Sequence, residues 1–152
     1  MREFLFRGKY IQRCLQKRAS ADAKWIYGSL IHQDDYCCIL DSPNEANAMD
    51  YPYLDGDLGT IDGYATPVDP DTVGQFTGIY DKNGMPIYEG DILGNHFFDE
   101  DNGHGVVSYN DGAFEVSNPI KTITFHENIW GKDVAVIGNI YDNPELIRGD
   151  EG

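Results

Sequence analysis

The side chains of this chain that could do chemistry are four histidines, three cysteines and 26 carboxylates. His96 and His104 lie in one segment with Asp99 and Asp101 between them, and imidazole and carboxylate groups are zinc ligands. A zinc site usually takes its three or four ligands from closely spaced pairs, which this segment does not offer. We therefore predict no metal site here.

The acidic segments 99–103 and 55–57 carry oxygen ligands of the kind that calcium prefers. Neither segment is followed by an acidic residue at the twelfth loop position, where an EF-hand places its bidentate ligand. We expect both segments to be solvated acidic loops, with adventitious cation binding as the alternative. No cofactor is predicted for the chain.

The cysteines are Cys14, Cys37 and Cys38, an odd number with one adjacent pair, which favours free thiols in a reducing compartment. Neighbouring residues of a strand point to opposite faces, so Cys37 and Cys38 should not share a metal, and we expect one of them to pack in the core. Residues 1–10 lack the apolar run of a secretion signal, and no segment is apolar enough to span a membrane. A cytoplasmic protein without a membrane partner is predicted.

The sequence motifs of several large enzyme classes are missing. The chain contains no Gly-x-Ser-x-Gly elbow, no phosphate-binding glycine loop and no His-Glu-x-x-His pair. A nuclease would need clustered carboxylates and a basic track for its substrate, and only the carboxylates are abundant. We predict no catalytic residues and no enzymatic activity, and the remaining alternative in this class is a hydrolase with an unfamiliar site.

The charge of the chain is segregated along its length. The net charge is −15, but residues 1–24 carry seven basic side chains against two acidic ones, a net of +5, and residues 25–152 carry −20. From Trp25 to Asp81 there is no lysine or arginine. Such a surface repels the polyanionic backbone of nucleic acid, so a nucleic-acid partner is not expected. A basic head on an acidic body could instead dock against the acidic surface of a neighbouring copy or of a partner.

The pattern of the chain predicts short strands joined by turns, with little helix. Residues 68–74 are an exception, because Asp69 can cap a helix and Pro70 suits its first turn, and residues 142–146 resemble a second capped turn. Residues 10–19 fit either a short amphipathic helix or a loop. The segments expected to form strands are 3–7, 25–31, 36–40, 58–64, 77–80, 86–88, 92–94, 105–109, 113–116 and 134–140.

Glycine turns divide the second half of the chain. Asn83-Gly84 and Asn110-Asp111-Gly112 have the residue types of tight hairpins, and residues 88–116 resemble the opening of an SH3-like barrel. We predict a mainly β fold (β-rich α+β), with N-terminal strands, one or two short helices and an SH3-like small barrel in the C-terminal part. The predicted parts are an N-terminal β-rich segment with an acidic loop, 1–67, and a barrel portion, 68–152, forming one cooperative unit.

Six stretches of the chain resemble the YopX family of phage and prophage proteins. The strongest is Val-Asp-Pro-Asp-Thr-Val-Gly-Gln-Phe-Thr-Gly at 68–78, followed by Tyr-Asp-Lys-Asn-Gly at 80–84 and Ile-Tyr-Glu-Gly-Asp-Ile at 87–92. Residues 1–9 and 24–30 match at the start, and Val-Ile-Gly-Asn-Ile-Tyr-Asp-Asn-Pro-Glu-Leu ends the resemblance. The basic residues 10–23 and the acidic stretch 41–66 depart from the family pattern. The resemblance implies a β-rich fold with an SH3-like portion and a gene carried by a phage or prophage, and it implies no reaction.

Two sets of residues are candidates for binding. The recurrent motifs have a structural explanation, since Asp81 and Asp91 can accept hydrogen bonds from backbone N–H groups in their own turns and the tyrosines can stack in the core or at its rim. The functional alternative is a surface that binds a partner peptide, made of Tyr80, Tyr88, Tyr141, Asp81, Asp91 and Asn139. The second set is a basic N-terminal patch of Arg7, Lys9, Arg13, Lys17 and Arg18.

The function that fits these observations is a non-enzymatic, phage-encoded module for protein interaction or assembly, which forms homo-oligomers. One alternative is an acidic mimic that occupies a basic, nucleic-acid-binding protein of the host, and it rests on the long stretch without basic residues. Another is a nucleic-acid-binding accessory protein that uses the basic N-terminal segment. The sequence does not name the protein partner.

Overall fold

A computed structural model of the chain describes residues 5–12, 16–33, 36–40, 65–94, 103–119, 122–125 and 134–148. Strands dominate these residues, and the mainly β prediction is confirmed. The strands are β1 (Phe6–Lys9), β2 (Trp25–Gln33), β3 (Tyr36–Leu40), β4 (Ala65–Val68), β5 (Gly74–Tyr80), β6 (Pro86–Tyr88), β7 (Asp91–Gly94), β8 (His104–Asn110), β9 (Ala113–Ser117), β10 (Thr122–Thr124) and β11 (Ala135–Asn139). The helical elements are a 3-10 helix (Pro70–Thr72) and α1 (Glu145–Arg148).

The chain divides between Gln75 and Phe76 into two compact units. The division predicted at 67/68 stays a prediction. Strand β5 begins in the first unit, where its residues Gly74 and Gln75 pair with β1. The remainder of β5, from Phe76 to Tyr80, pairs with β6 in the second unit. One strand is therefore common to both units.

The first unit is an antiparallel sheet in the order β4-β3-β2-β1-β5. Its core is formed by Ile26, Cys37, Ile39 and Val68, against which Phe6, Tyr10, Leu30 and Val73 pack. The predicted hairpin between residues 25–31 and 36–40 is confirmed as β2 and β3.

Strand β4 is buried at all four of its residues although it ends the order of this sheet. The chain that follows β1 covers it. Tyr10 forms an antiparallel bridge with Val68, and the N–H of Ile11 donates to the carbonyl of Pro67 at 3.2 Å. The bonding groups of an edge strand are thereby used within the chain itself.

The second unit contains the β5–β6 hairpin and an antiparallel sheet in the order β10-β9-β8-β7-β11. Ile87, Leu93, Val107, Val116 and Val134 form its core. Over the described residues this sheet has two ends, β10 and β11, and no closed barrel is formed. The SH3-like barrel that the sequence predicts is therefore not confirmed, because a barrel requires its first and last strands to pair.

The two predicted glycine turns are confirmed. Gly84 has φ +81° between β5 and β6, and Asp111 and Gly112 have φ +52° and +83° between β8 and β9. Asn110 pairs directly with Ala113, so the second turn has two central residues with positive φ, as a type I′ hairpin requires.

The capped turn at Asp69 is confirmed, and the second predicted turn is confirmed as a short helix at Glu145–Arg148. The carboxylate of Asp69 accepts from the N–H of Asp71 at the start of the 3-10 helix, with Pro70 in its first turn. Pro144 directly precedes α1. Residues 16–24 contain no helix, and neither the predicted strand 58–64 nor residues 13–15 belong to the described part of the chain.

Candidate interaction surfaces

Asp81 lies buried at the start of the β5–β6 turn, and both of its carboxylate oxygens are occupied by backbone groups. Oδ1 accepts from the N–H groups of Asn83 and Met85, each at 2.8 Å. Oδ2 accepts from the N–H of Val136 in β11 at 2.9 Å. The sequence predicted the bonds within the turn, whereas the bond to Val136 joins the turn to a strand 55 positions later.

Tyr88 and Asp91 are buried in the next turn. Oδ2 of Asp91 accepts from the N–H of Tyr88 at 2.7 Å, and Asp91 is only 1% exposed. The ring of Tyr88 lies 5.6 Å from that of Phe76, which in turn meets the ring of Tyr80 edge-on at 5.3 Å. Tyr88 and Asp91 thus stabilise the turn and the core, and Tyr80 continues the aromatic stack outward to solvent.

Asn139 is buried at the end of β11 and organises the chain that leads to α1. Its side-chain oxygen accepts from the N–H groups of Tyr141 and Asp142 at 3.0 and 2.9 Å. Its side-chain nitrogen donates to Oδ2 of Asp142 at 3.1 Å. Tyr141 itself is partly buried.

Of the six residues predicted as an interaction surface, four are buried: Tyr88, Asp81, Asp91 and Asn139. Tyr80 is exposed over about half of its surface, at 51%. The buried members act as supports for turns, which is the structural explanation that the sequence also allowed. Contact with a partner through Tyr80 and Tyr141 stays a prediction.

Around the Asp81 turn, three exposed apolar side chains belong to segments joined by its hydrogen bonds. They are Tyr80, Met85 and Ile137, exposed at 51%, 54% and 43%, and we call them the apolar turn surface. Asp81 follows Tyr80 and bonds to Met85, and its third donor, Val136, precedes Ile137.

Ile137 sits where the register between β11 and β7 shifts by one residue, and such a bulge re-aims a side chain. Sequence reasoning missed Met85 and Ile137. Met85 follows the Asn83-Gly84 turn, and side chains next to a turn are commonly exposed. The exposure of Met85 could therefore have been predicted from the sequence. The exposure of Ile137 could not have been predicted, because residues 134–137 are all apolar and show no alternation that would identify the residue facing solvent.

The basic patch predicted near the N-terminus is divided by burial. Arg7 and Lys9 are 6% and 3% exposed, and both lie against the indole of Trp25, at 4.6 and 5.6 Å from its ring centre. The register explains this, since Lys9 is directly opposite Trp25 and Arg7 is opposite Tyr27 in the antiparallel pair β1–β2. These two cationic side chains are therefore buried and do not contribute to a basic surface patch.

The remaining basic residues of this patch belong to the segment between β1 and β2. Lys17 and Arg18 are exposed, and Arg13 lies outside the described residues. We call residues 16–24 the basic loop. The amine of Lys9 donates to the carbonyl of Ala21 at 2.7 Å, and Oδ2 of Asp69 accepts from the N–H of Ala19 at 2.9 Å.

Cys37 and Cys38 are both buried thiols, where the sequence led us to expect one of them in the core. Burial raises the pKa of the Cys37 thiol. Cys14, His96, Asp99 and Asp101 lie outside the described residues. Within the described ranges, no three side chains of histidine, cysteine, aspartate or glutamate are grouped as a metal site. Nor does any helix in these ranges have the length and apolar character needed to cross a membrane.

The chain is similar to a described family and to solved structures. A family model described as YopX protein matches residues 19–148. No curated protein matches. The crystal structure of protein EF1440 from Enterococcus faecalis is 30% identical over a match that covers 59% of this chain and 60% of that chain, with a TM-score of 0.41. The chain thus spans less than two thirds of that protein.

Proposed function

The chain belongs to the YopX family, and we propose that it is a non-enzymatic module for protein interaction, encoded by a phage or prophage and associating with itself in the host cytoplasm. The observation that carries the proposal is the apolar turn surface of Tyr80, Met85 and Ile137. A single exposed apolar side chain is ordinary, but these three belong to segments that one buried carboxylate ties together. Aromatic residues and methionine are enriched at protein interfaces.

The rigidity of the turn favours binding. The Asp81 carboxylate accepts three backbone hydrogen bonds, and the N–H of Lys82 donates to the carbonyl of Val134 at 3.0 Å. A contact held in its bound conformation loses less conformational entropy when the complex forms. The Asp81 turn is therefore a support for exposed side chains.

A non-enzymatic role is favoured by what the buried carboxylates do. Both oxygens of Asp81 and both oxygens of Asp69 accept backbone N–H bonds. A carboxylate that works as a base must lie within hydrogen-bond reach of its substrate, which burial in a turn does not favour. These two residues instead use their charge to hold turns.

The alternative of a nucleic-acid-binding accessory protein is weakened by the burial of Arg7 and Lys9, since a phosphate contact requires accessible cations. The acidic mimic rests on the stretch from Trp25 to Asp81 without basic residues, and it requires a basic host protein as partner. The acidic mimic is distinguished from self-association by the experiment below.

The proposal is tested by light scattering and sedimentation of the purified protein over a wide range of concentration. We expect concentration-dependent oligomers, weakened by about tenfold or more in the Tyr80→Ser, Met85→Ser double variant, as truncation of central interface residues does. Tyr27→Ser and Ile147→Ser are the controls, because these side chains are exposed to a similar degree elsewhere. A strict monomer at high concentration, or equal weakening by the controls, would contradict the proposal. Capture of a basic host protein by a monomer would favour the mimic.

A further inference from the structure

The basic loop, residues 16–24, has no regular secondary structure and is nevertheless closely held. At its start, the N–H of Gln16 donates to the carbonyl of Gln12 at 2.8 Å, and the side-chain oxygen of Gln16 accepts from the N–H of Gln12 at 3.0 Å. At its end, the N–H of Tyr10 donates to the carbonyl of Lys24 at 2.8 Å. Both ends are thus fixed to the chain that leaves β1.

The middle of the loop is bonded to two buried charged side chains. Lys9, 3% exposed, donates from its amine to the carbonyl of Ala21, and Asp69, 5% exposed, accepts from the N–H of Ala19. Burying a charge is costly unless hydrogen bonds compensate it. Lys9 and Asp69 each direct a charge-assisted bond to the backbone of the basic loop. A loop held in this way on a rigid sheet is typical of a binding element.

The loop presents two adjacent cations to solvent. Lys17 and Arg18 are both exposed. A guanidinium binds a carboxylate through two parallel hydrogen bonds, and a neighbouring ammonium adds a second point charge. The chemistry that this arrangement recognises is a surface rich in carboxylates.

We propose that the basic loop docks against the acidic surface of a second copy of this chain, an inference that rests on the self-association proposed above. Charge complementarity indicates the occupant. Residues 25–152 carry a net charge of −20, and among the described residues Asp111, Asp142 and Glu145 are exposed carboxylates.

Two molecules of net charge −15 repel each other in most orientations. The orientation that brings Lys17 and Arg18 of one copy onto carboxylates of the next replaces repulsion with attraction. The loop and its complement are different parts of the chain, so the contact is compatible with a head-to-tail arrangement and with a reciprocal pair across a two-fold axis.

The test is sedimentation equilibrium of the full chain at an ionic strength of about 0.15 M, where repulsion beyond about 8 Å is screened and direct contacts persist. In the Lys17→Gln, Arg18→Gln variant we expect self-association about tenfold weaker than in the wild-type chain. The Ser29→Asp, Thr122→Asp variant is the matched control, since it lowers the net charge by the same amount at exposed positions outside the loop. The Lys17→Arg, Arg18→Lys variant keeps both charges and should associate as the wild type does.

The outcomes separate this inference from the proposed function. If the wild type associates and the Gln variant associates equally well, or if the control weakens as much as the Gln variant, the basic-loop contact is wrong and the proposed function stands. If the wild type is a strict monomer, both fall. A mobility shift of DNA or RNA at low salt that disappears in the Gln variant would overturn the second copy as the occupant and assign the loop to nucleic acid.

Discussion

Three buried aspartates, Asp69, Asp81 and Asp91, share one role at the scale of single residues. Each accepts hydrogen bonds from backbone N–H groups in or near its own turn. A charged acceptor makes stronger bonds than a neutral one, and its bonds fix the backbone at positions where strands change direction. Many aspartates in a composition could suggest catalytic carboxylates. These three residues instead stabilise turns.

The replacement of Asp81 by alanine should be strongly destabilising. It leaves the N–H groups of Asn83, Met85 and Val136 without their acceptor, and we expect a loss of about 3 kcal/mol or more in the free energy of unfolding. Asp81→Asn should cost less, because it keeps one acceptor oxygen. Urea unfolding measures both, with Asp22→Ala as the exposed control. Equal unfolding midpoints for Asp81→Ala and Asp22→Ala would show that the three hydrogen bonds of Asp81 contribute nothing to stability.

Cys37 should make the stability of the fold depend on alkaline pH. Burial raises the pKa of its thiol above the unfolded-state value of about 8.5. The thiol therefore contributes stability that is fully present below about pH 8.5 and is lost as the pH rises through the folded-state pKa. The free energy of unfolding should fall in that window by at most about 1.4 kcal/mol per pH unit for one group.

The measurement for Cys37 is urea unfolding at a series of pH values from about 7 to 10, for the wild type and for Cys37→Ser. The variant should be less stable throughout, because it buries a hydroxyl, but its alkaline slope should be shallower. An unchanged slope would mean that Cys37 does not titrate in this way.

At the scale of elements, the close approach of β1 and β4 organises the first unit. A Cβ on Gly8 would lie 2.8 Å from Cγ2 and 2.9 Å from Cβ of Val68, so only glycine allows these strands to meet. The bridge between Tyr10 and Val68 follows directly in the chain. Because the residue at position 8 is a glycine, which has no side chain, the end of β1 can cover β4.

Gly8→Ala should destabilise the protein by about 1–3 kcal/mol through overpacking against Val68. Val68→Ala alone should also destabilise it, because it opens a cavity in the core. The double variant should cost less than the sum of the two, since the new methyl group fills the space that Val68 vacates. A double-mutant cycle by urea unfolding measures the coupling. If the destabilisation of the double variant equals the sum of the two single variants, the contact between positions 8 and 68 does not determine the cost of Gly8→Ala.

At the scale of the whole molecule, the division between the two units falls within β5. Its first residues pair with β1 and its last residues pair with β6. Melting either partner removes hydrogen bonds from the same strand, so disorder in one unit should propagate into the other.

We therefore expect the chain to unfold in a single transition by calorimetry, with equal calorimetric and van't Hoff enthalpies. Asp81→Ala, a change in the second unit, should lower the midpoint of that one transition. Two separated transitions, with only the second shifted by Asp81→Ala, would contradict cooperative unfolding and make the units independent. The wild-type trace recorded at several protein concentrations controls for the contribution of self-association.

The sequence by itself determined the features that depend on neighbours along the chain. The hairpin turns at Gly84 and Gly112, the Asp69 cap and the bonds of Asp81 within its own turn all lie within about four residues. In such short segments the residue types alone restrict the backbone to a few conformations and supply the hydrogen-bond partner. The mainly β class followed from the same local signals.

Only the tertiary structure decided which side chains are buried and which distant segments meet. Arg7 and Lys9 lie against Trp25, both Cys37 and Cys38 are buried, and β11 supplies a donor to Asp81. The predicted barrel is not confirmed over the described residues, and barrel closure likewise depends on the pairing of strands far apart in sequence. Burial and pairing of this kind are set by the register between strands, and a one-residue change of register exchanges the buried face for the exposed one.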